Sequence, residues 1–295
     1  MATCIICGSK EFSQIWQNVG QGAQYNISTC KKCKLTGAFK ANESASLDVG
    51  YEAEPCDYLI PTDNDISKRM RITRRRHKIF IRAIRKHHPD ARRILDFGAG
   101  AGYFLKYCQE QGFEAQGVEL SENLITFAGE QLGVRLSPTL ENVTGTFDVI
   151  TMFDVIEHFD WQSSRQIVDK LVERLNAGGL FLGNTPNFES LNVRISGKLG
   201  PVISPPYHTT YFTPRTLHAY LESFGLKKIK INTMIFSEER FFRKLSLYDT
   251  GKGGRMGRIT KKLTRFGFKV LFRPLFWLMP FLGTGYQIFY CYRKP

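Results

Sequence analysis

The apolar positions of this chain change their period several times, and the changes divide it into elements. Ile94 and Leu95 form one short apolar run, Ala115, Val118 and Leu120 a second, and Leu180, Phe181 and Leu182 another. The longest is the stretch from Phe147 through Val149, Ile150 and Met152 to Phe153. Runs this short and this apolar suit strands buried on both faces of a parallel sheet. Between them, residues 103–111, 122–132 and 163–175 have helical spacing. Strands alternating with helices imply an α/β fold with right-handed crossovers. A turn at 176–179 leads into the strand at 180–184. Thr213 and Pro214 predict the cap and first position of a helix that ends near Phe224 and Gly225. Residues 226–233 alternate as a strand, and 285–293 read as a final antiparallel one.

The flanks behave differently. Residues 65–88 are helical and basic, with Lys68, Arg71, Lys78, Arg82 and Lys86 interleaved with Met70, Ile79, Phe80 and Ile84. Most of that charge reads as a solvated face. Arg74, Arg75 and Arg76 point in three directions, so some of them should line a cleft rim. Residues 1–40 have too few apolar positions for a core of their own. They carry Cys4-x-x-Cys7 and Cys30-x-x-Cys33 instead. Paired knuckles of this spacing supply four thiolates to a tetrahedral zinc, which stabilises a small ribbon and leaves no open position for catalysis. Residues 41–63, broken by Pro55 and Pro61, read as a linker, with Tyr51 and Tyr58 packing between ribbon and core. An insertion at about 237–283 sits inside the main domain of 64–295.

Charge narrows the partners. There are 41 Lys and Arg against 27 Asp and Glu, a net +14, which favours an anionic partner. Much of the excess lies at 255–282. There Arg255, Arg258, Lys262 and Arg265 accompany an apolar stripe of Met256, Ile259, Leu263 and Phe266, followed by Phe276, Trp277 and Phe281. Such a segment suits either an anionic membrane surface or the protein's own sheet, and prolines and charges make it too interrupted to span a bilayer. The start of the chain lacks the basic and apolar regions of a signal peptide, and paired cysteines fit a reducing compartment. The expectation is a cytoplasmic protein, peripheral at most on the inner face of a membrane.

The chemistry concentrates at three places. Asp96-Phe97-Gly98-Ala99-Gly100-Ala101-Gly102 follows the first strand, and its glycines let the backbone turn sharply and approach a ligand. The helix after it presents its first N–H groups to that ligand. Glu119 ends the next strand, where a carboxylate can hold ribose hydroxyls. Asp154-Val155-Ile156-Glu157-His158 follows the strand at 147–153 and enters the crevice at its carboxyl end.

With an acid before the turn and the spacing Asp-x-Gly-x-Gly-x-Gly, the chain resembles the class I S-adenosylmethionine-dependent methyltransferases from about Lys68 to Ala219. The N-terminal knuckles resemble the zinc module that precedes the core in sugar C-methyltransferases. The resemblance implies a doubly wound, mostly parallel seven-stranded sheet of Rossmann-like type with a small N-terminal zinc ribbon. It implies S-adenosyl-L-methionine held by Asp96, Phe97, Gly98, Gly100, Gly102, Glu119, Leu120, Phe153 and Asp154, with the adenine near Pro138 to Leu140. It also makes His158 the first candidate for general base and His208 the second, and Tyr207, His208 and Tyr211 a loop over the site. A dinucleotide-binding fold is the main competitor for the glycine turn.

Methyl transfer needs donor and acceptor held together and a proton removed from the acceptor. An imidazole titrates near neutrality and suits that task. The expected acceptor is a small molecule, a hydroxyl of a sugar, lipid-linked glycan or related metabolite. An RNA acceptor is the alternative, using the ribbon and basic helix to hold phosphates. Ser204-Pro205-Pro206-Tyr207 resembles the target-amine motif of nucleic-acid methyltransferases, but it lies after the wrong strand, which argues against that alternative.

Overall fold

The computed structural model describes residues 2–20, 22, 24–41, 59–60, 65–161, 163–235 and 278–295. The expected linker with Tyr51 and Tyr58, and all of the basic insertion before residue 278, therefore lie almost wholly outside the described residues.

Three short strands open the chain: β1 (Phe12–Val19), β2 (Tyr25–Cys30) and β3 (Thr36–Lys40). A long helix, α1 (Ile66–His87), follows, capped by the Asp65 carboxylate, which accepts from the Lys68 N–H at 2.8 Å. Then come β4 (Arg93–Phe97), α2 (Tyr103–Glu110), β5 (Glu114–Val118), α3 (Glu122–Phe127) and β6 (Leu136–Ser137). The second half contains β7 (Phe147–Phe153), α4 (Ser163–Glu173), β8 (Leu175–Pro186), α5 (Leu191–Ser196), β9 (Thr210–Tyr211), α6 (Pro214–Glu222), β10 (Lys227–Met234) and β11 (Gln287–Arg293).

Seven of these strands form one sheet in the order β10-β11-β8-β7-β4-β5-β6. The pairs β6–β5, β5–β4, β4–β7 and β7–β8 are parallel, and β11 runs antiparallel between β8 and β10. This is the Rossmann-like methyltransferase fold. Its central strands are buried on both faces, as their apolar runs require: Ile94, Leu95, Val149, Ile150, Phe181 and Leu182 are all inaccessible to solvent. Helix α1 covers the sheet with Phe80, Ile81 and Ile84, each worth roughly 1.5–3 kcal/mol when buried. Phe80 stacks on Phe289 at 5.7 Å and meets Phe153 at 4.3 Å, closing the floor beneath the crevice.

Two elements differ from the reading of their sequence. Residues 122–132 do not form one helix: Gly129 weakens the preference, and the ladder widens into a single π turn over Ala128–Leu132. The strand expected at 180–184 begins instead at Leu175. Phe147 pairs with Leu175 and Val149 with Leu180, so 176–179 form a bulge rather than a separate turn. Asn176 holds it by donating to the Asp148 carboxylate at 2.9 Å.

The second sheet was not expected. Its order is β1-β2-β3-β9, so the N-terminal strands continue into the chain segment that follows His208. Gly37 pairs with Thr210 and Thr36 with Tyr211, and the Ala38 N–H donates to the Thr209 carbonyl at 2.9 Å. Trp161 lies flat against Gly37, where a Cβ would sit 2.6 Å from the indole. Phe12 and Phe39 pack against the same ring at 5.7 and 5.4 Å. Arg165 donates to the Ile5 carbonyl at 2.9 Å. The first 40 residues thus brace one loop of the main domain.

Candidate active site

The crevice lies at the carboxyl ends of β4, β5 and β7, where a doubly wound sheet places its ligands. At one end is the glycine turn. Gly98, Gly100 and Gly102 have φ of 74°, 55° and 78°, a backbone that other residues rarely adopt. At Gly98 a Cβ would also lie 2.4 Å from the Val155 side chain, and at Gly100 3.0 Å from Leu59. Three of the turn's N–H groups are taken up by nearby carbonyls. Gly98 and Ala99 both donate to the Val118 carbonyl, at 2.8 and 2.9 Å, and Gly102 donates to Ala99 at 3.1 Å. With no side chains at these glycines, the backbone itself can come close to a ligand.

Glu119 closes this end. Its Oε2 accepts from the Gly100 N–H at 2.8 Å, and its Oε1 from the N–H groups of Leu120 and Ser121 at 2.8 and 3.0 Å. The carboxylate is held beside the turn, while Leu120 is 55% exposed next to it. Asp96 lies beneath, 2% exposed, accepting from the Thr151 hydroxyl at 2.6 Å. Burial pushes its carboxyl up to about 8, against the pull of Thr151 and Arg76. Phe97 meets Phe159 edge to face at 6.0 Å and so links the two ends of the crevice.

The other end is built by the segment after β7. Asp154 has φ of 56°, which turns the chain back over the sheet. Its carboxylate lies between Arg76 Nη2 at 2.8 Å and Asn184 Nδ2 at 2.7 Å, and Asn184 donates on to Gln287 at 2.8 Å. Arg76 also donates to the side-chain Oδ1 of Asn184 at 2.8 Å and lies 5.8 Å from the Phe153 ring centre. Of the three adjacent arginines, this is the one that lines the rim. Arg74 turns outward to Glu110 and the Tyr107 ring.

Residues Ile156–His158 form a short 3-10 turn that brings Glu157 and His158 opposite His208. The two imidazoles meet edge to face at 4.9 Å. His158 Nδ1 lies 2.8 Å from the Tyr207 carbonyl and His208 Nδ1 2.7 Å from the Val202 carbonyl. A carbonyl only accepts, so each Nδ1 donates and the neutral rings carry their lone pairs on Nε2. Glu157 is 2% exposed and accepts from the Thr185 hydroxyl at 2.8 Å. Burial, then the neighbouring Asp154 charge, push its carboxyl well above the usual range. The Thr209 N–H and hydroxyl both donate to the Glu157 carbonyl, at 3.0 and 3.2 Å, which ties the His208 loop to this turn. Tyr211, expected over the site, is buried instead. Its hydroxyl donates to the His208 carbonyl at 2.9 Å and so supports the loop from below.

Glu157 received no role from the sequence. An acid inside the apolar string Val155-Ile156-Glu157-His158-Phe159 was the available signal, because a buried unpaired carboxylate is rare. Away from the crevice, Cys4 and Cys33 sulfurs lie 3.3 Å apart and those of Cys7 and Cys30 3.6 Å apart. All four sulfurs fall within 4.8 Å of one another.

Comparisons with known proteins identify the family. Residues 68–231, more than half of the chain, match the model of a family described as Methyltransferase domain. The chain is 23% identical over 181 residues to a ubiquinone biosynthesis O-methyltransferase of Idiomarina loihiensis, covering 53% of this chain and 72% of that one. Among solved structures it is similar to a SAM-dependent methyltransferase of Archaeoglobus fulgidus, with 22% identity and a TM-score of 0.45 over 74% of this chain and 94% of that one. A SAM-dependent methyltransferase of Thermotoga maritima, described as a possible histamine N-methyltransferase, aligns at 17% identity and a TM-score of 0.49 over 79% and 96%.

Proposed function

The chain belongs to the methyltransferase-domain family and is a SAM-dependent methyltransferase, and from that premise we propose that it methylates a hydroxyl of a small molecule, a sugar, lipid-linked glycan or related metabolite. The observation that carries the proposal is the histidine-lined end of the crevice. It stands across the carboxyl edge of β4 and β7 from the glycine turn and presents polar side chains to a compact acceptor.

S-adenosylmethionine, when bound, supplies the methyl group, and its sulfur keeps the electron pair as the new O–CH3 bond forms. The residues present fit it. Gly98, Gly100 and Gly102 hold the positive-φ turn and put no side chain between backbone and ligand, and Asp96 and Phe97 lie beside it. Glu119 and Leu120 border the ribose and adenine side, and Phe153 and Asp154 the methionine side. The chain's own task is to orient the acceptor and remove its proton. His158 is the first candidate for that base and His208 the second, since each ring has its tautomer set by a backbone carbonyl.

The name of the Idiomarina relative, an O-methyltransferase, supports a hydroxyl acceptor. Solved structures of an amino pentose methyltransferase of Micromonospora echinaspora and a sugar N-methyltransferase of Streptoalloteichus favour a sugar-like one. The exposed basic residues of α1, among them Arg71, Arg75, Lys78 and Arg82, make RNA the competing outcome of the test. Purified protein incubated with labelled S-adenosylmethionine and the polar, lipid and RNA fractions of a cell extract decides it. Label in the polar or lipid fraction is expected, and label confined to RNA would overturn the reading.

Two further parts belong to the proposal. Cys4, Cys7, Cys30 and Cys33 hold a structural zinc: Zn–S bonds of about 2.3 Å give tetrahedral sulfur separations of about 3.8 Å, close to those seen. Metal analysis before and after Cys4→Ser tests this. Leu278, Phe281 and Leu282, which are 54%, 87% and 66% exposed, continue the basic segment at 255–277 toward an anionic membrane surface. Sedimentation with acidic vesicles tests that contact. Among the described residues no helix is long and apolar enough to cross a membrane.

A further inference from the structure

We infer that Glu157, His158 and His208 hold a divalent transition-metal cation at the acceptor end of the crevice, and that the acceptor hydroxyl binds to this cation. The inference rests on the methyl-transfer reading and sharpens the role of its two histidines. One carboxylate oxygen of Glu157 and one ring nitrogen from each of the two histidines lie within 4.8 Å of one another, close enough for a single ion.

Three independent features of the structure point the same way. Glu157 is 2% exposed, and while one oxygen accepts from Thr185, Oε1 is buried with no hydrogen-bond partner among the described residues. A buried acceptor left in that state is costly unless something positive meets it. The histidines are prepared as ligands: each gives its Nδ1 proton to a main-chain carbonyl, of Tyr207 and of Val202, which fixes the ring and places the lone pair on Nε2. The scaffold is rigid on both sides. Thr209 ties the loop to the Glu157 carbonyl, and β9 ties it to β3.

Two imidazoles and one carboxylate suit Mn2+, Fe2+, Co2+ or Zn2+ better than Mg2+ or Ca2+, and three protein ligands leave positions open for substrate oxygen. A hydroxyl bound there becomes more acidic and releases its proton to solvent. The alkoxide oxygen then takes the methyl group as the carbon–sulfur bond breaks, so the products are an ether, the thioether and one proton. In this form the histidines act as ligands, and the cation performs the activation otherwise assigned to a general base. Acceptors with two neighbouring hydroxyls gain most, because both oxygens reach the same ion.

The test uses the full chain, stripped with EDTA and titrated with Mn2+ while the six-line resonance of the unbound ion is followed. Mn2+ disfavours thiolate ligands, so the cysteine cluster does not compete. Glu157→Gln keeps the volume and a hydrogen-bonding partner for Thr185 but removes the charge, and His208→Ala removes a ring from the partly exposed loop. Each should weaken Mn2+ binding at least about tenfold while S-adenosylhomocysteine still binds by calorimetry. Methyl transfer should stop with EDTA and return with Mn2+. No uptake of Mn2+ by the parent chain, or equal uptake by Glu157→Gln, overturns the inference. If S-adenosylhomocysteine binds and EDTA-treated protein still methylates its acceptor, the cation falls and methyl transfer stands. If Mn2+ binds through these residues while S-adenosylhomocysteine does not, the cation stands and the methyl-donor reading falls.

Discussion

The two ends of the crevice are built on opposite plans. The glycine end comes from adjacent chain: Asp96 to Gly102 and Glu119 follow two neighbouring parallel strands, and the turn's N–H groups are taken up by Val118, Glu119 and Ala99. The histidine end is assembled across the sequence. Arg76 reaches Asp154, Glu157 accepts from Thr185, His158 donates to Tyr207, and β9 is held by strands from the first 40 residues. One end draws its bonds from its own neighbourhood, whereas the other keeps a buried carboxylate oxygen with no hydrogen-bond partner among the described residues. A local, satisfied turn suits a ligand that many methyltransferases share. A composite and unsatisfied wall suits an acceptor particular to this chain.

The largest expected effect comes where the two ends touch. Gly98→Ala puts a side chain at φ of 74° and drives its Cβ into Val155, two residues before Glu157. Left-handed strain and overpacking together cost about 2–5 kcal/mol, measurable by urea unfolding. Binding of S-adenosylhomocysteine should be lost as well. Gly112→Ala is the control, since Gly112 has φ of 87° with nothing within 4 Å of its Cβ. It should lose about 1–2 kcal/mol and keep its ligand.

Acid should attack the floor of the glycine end first. His77 of α1 packs edge on against Phe104 of α2 at 5.4 Å, and burial, helped by Arg76, lowers its ring from 6.5 to about 3. The unfolded chain takes up this proton near 6.5 and the folded chain only near 3. Stability from this group is therefore complete above 6.5 and falls as the pH drops toward 3, by about 2–3 kcal/mol at pH 4.5. In His77→Phe that part of the pH dependence should vanish from urea midpoints measured between pH 7 and 4.5.

Arg76 tests the histidine end from the rim. Arg76→Met leaves the Asp154 carboxylate with Asn184 as its side-chain partner among the described residues. The pair is 27% and 36% exposed, so solvent screening keeps the loss near 1–2 kcal/mol. A thermal melt should shift down, and added salt should narrow the gap between variant and parent.

This division also decided what the sequence could disclose. The parallel strands announced themselves as apolar runs, and Asp96, the three glycines and Glu119 could be read together because neighbouring crossovers bring them together. The cap at Thr213 and the antiparallel strand near 290 were legible for the same local reason. Arg76 could be placed only as one of three candidates, since helical phase depends on which face the sheet covers. Glu157 was visible but mute, because its partner Thr185 lies on another strand. The pairing of β3 with β9 left no trace at all. Thr36, Gly37, Thr210 and Tyr211 are short segments whose register is set by Trp161 and the aromatic rings around it, not by any pattern of their own.

The smallest effect discriminates most. Trp161 is 5% exposed, and its indole N–H donates to the Thr210 hydroxyl at 2.9 Å. Trp161→Phe keeps an aromatic ring beside Gly37 and removes that one bond, for a loss of about 1 kcal/mol. Thr210 pairs with Gly37, and its neighbour Thr209 holds the Glu157 carbonyl, so loosening this point displaces His208 relative to Glu157. The glycine turn shares none of these bonds. Turnover should therefore fall several-fold through a raised KM for the acceptor, while calorimetry shows S-adenosylhomocysteine binding as in the parent chain. Equal loss on both sides would mean that the brace holds the crevice as one body, and that the two ends are not independent.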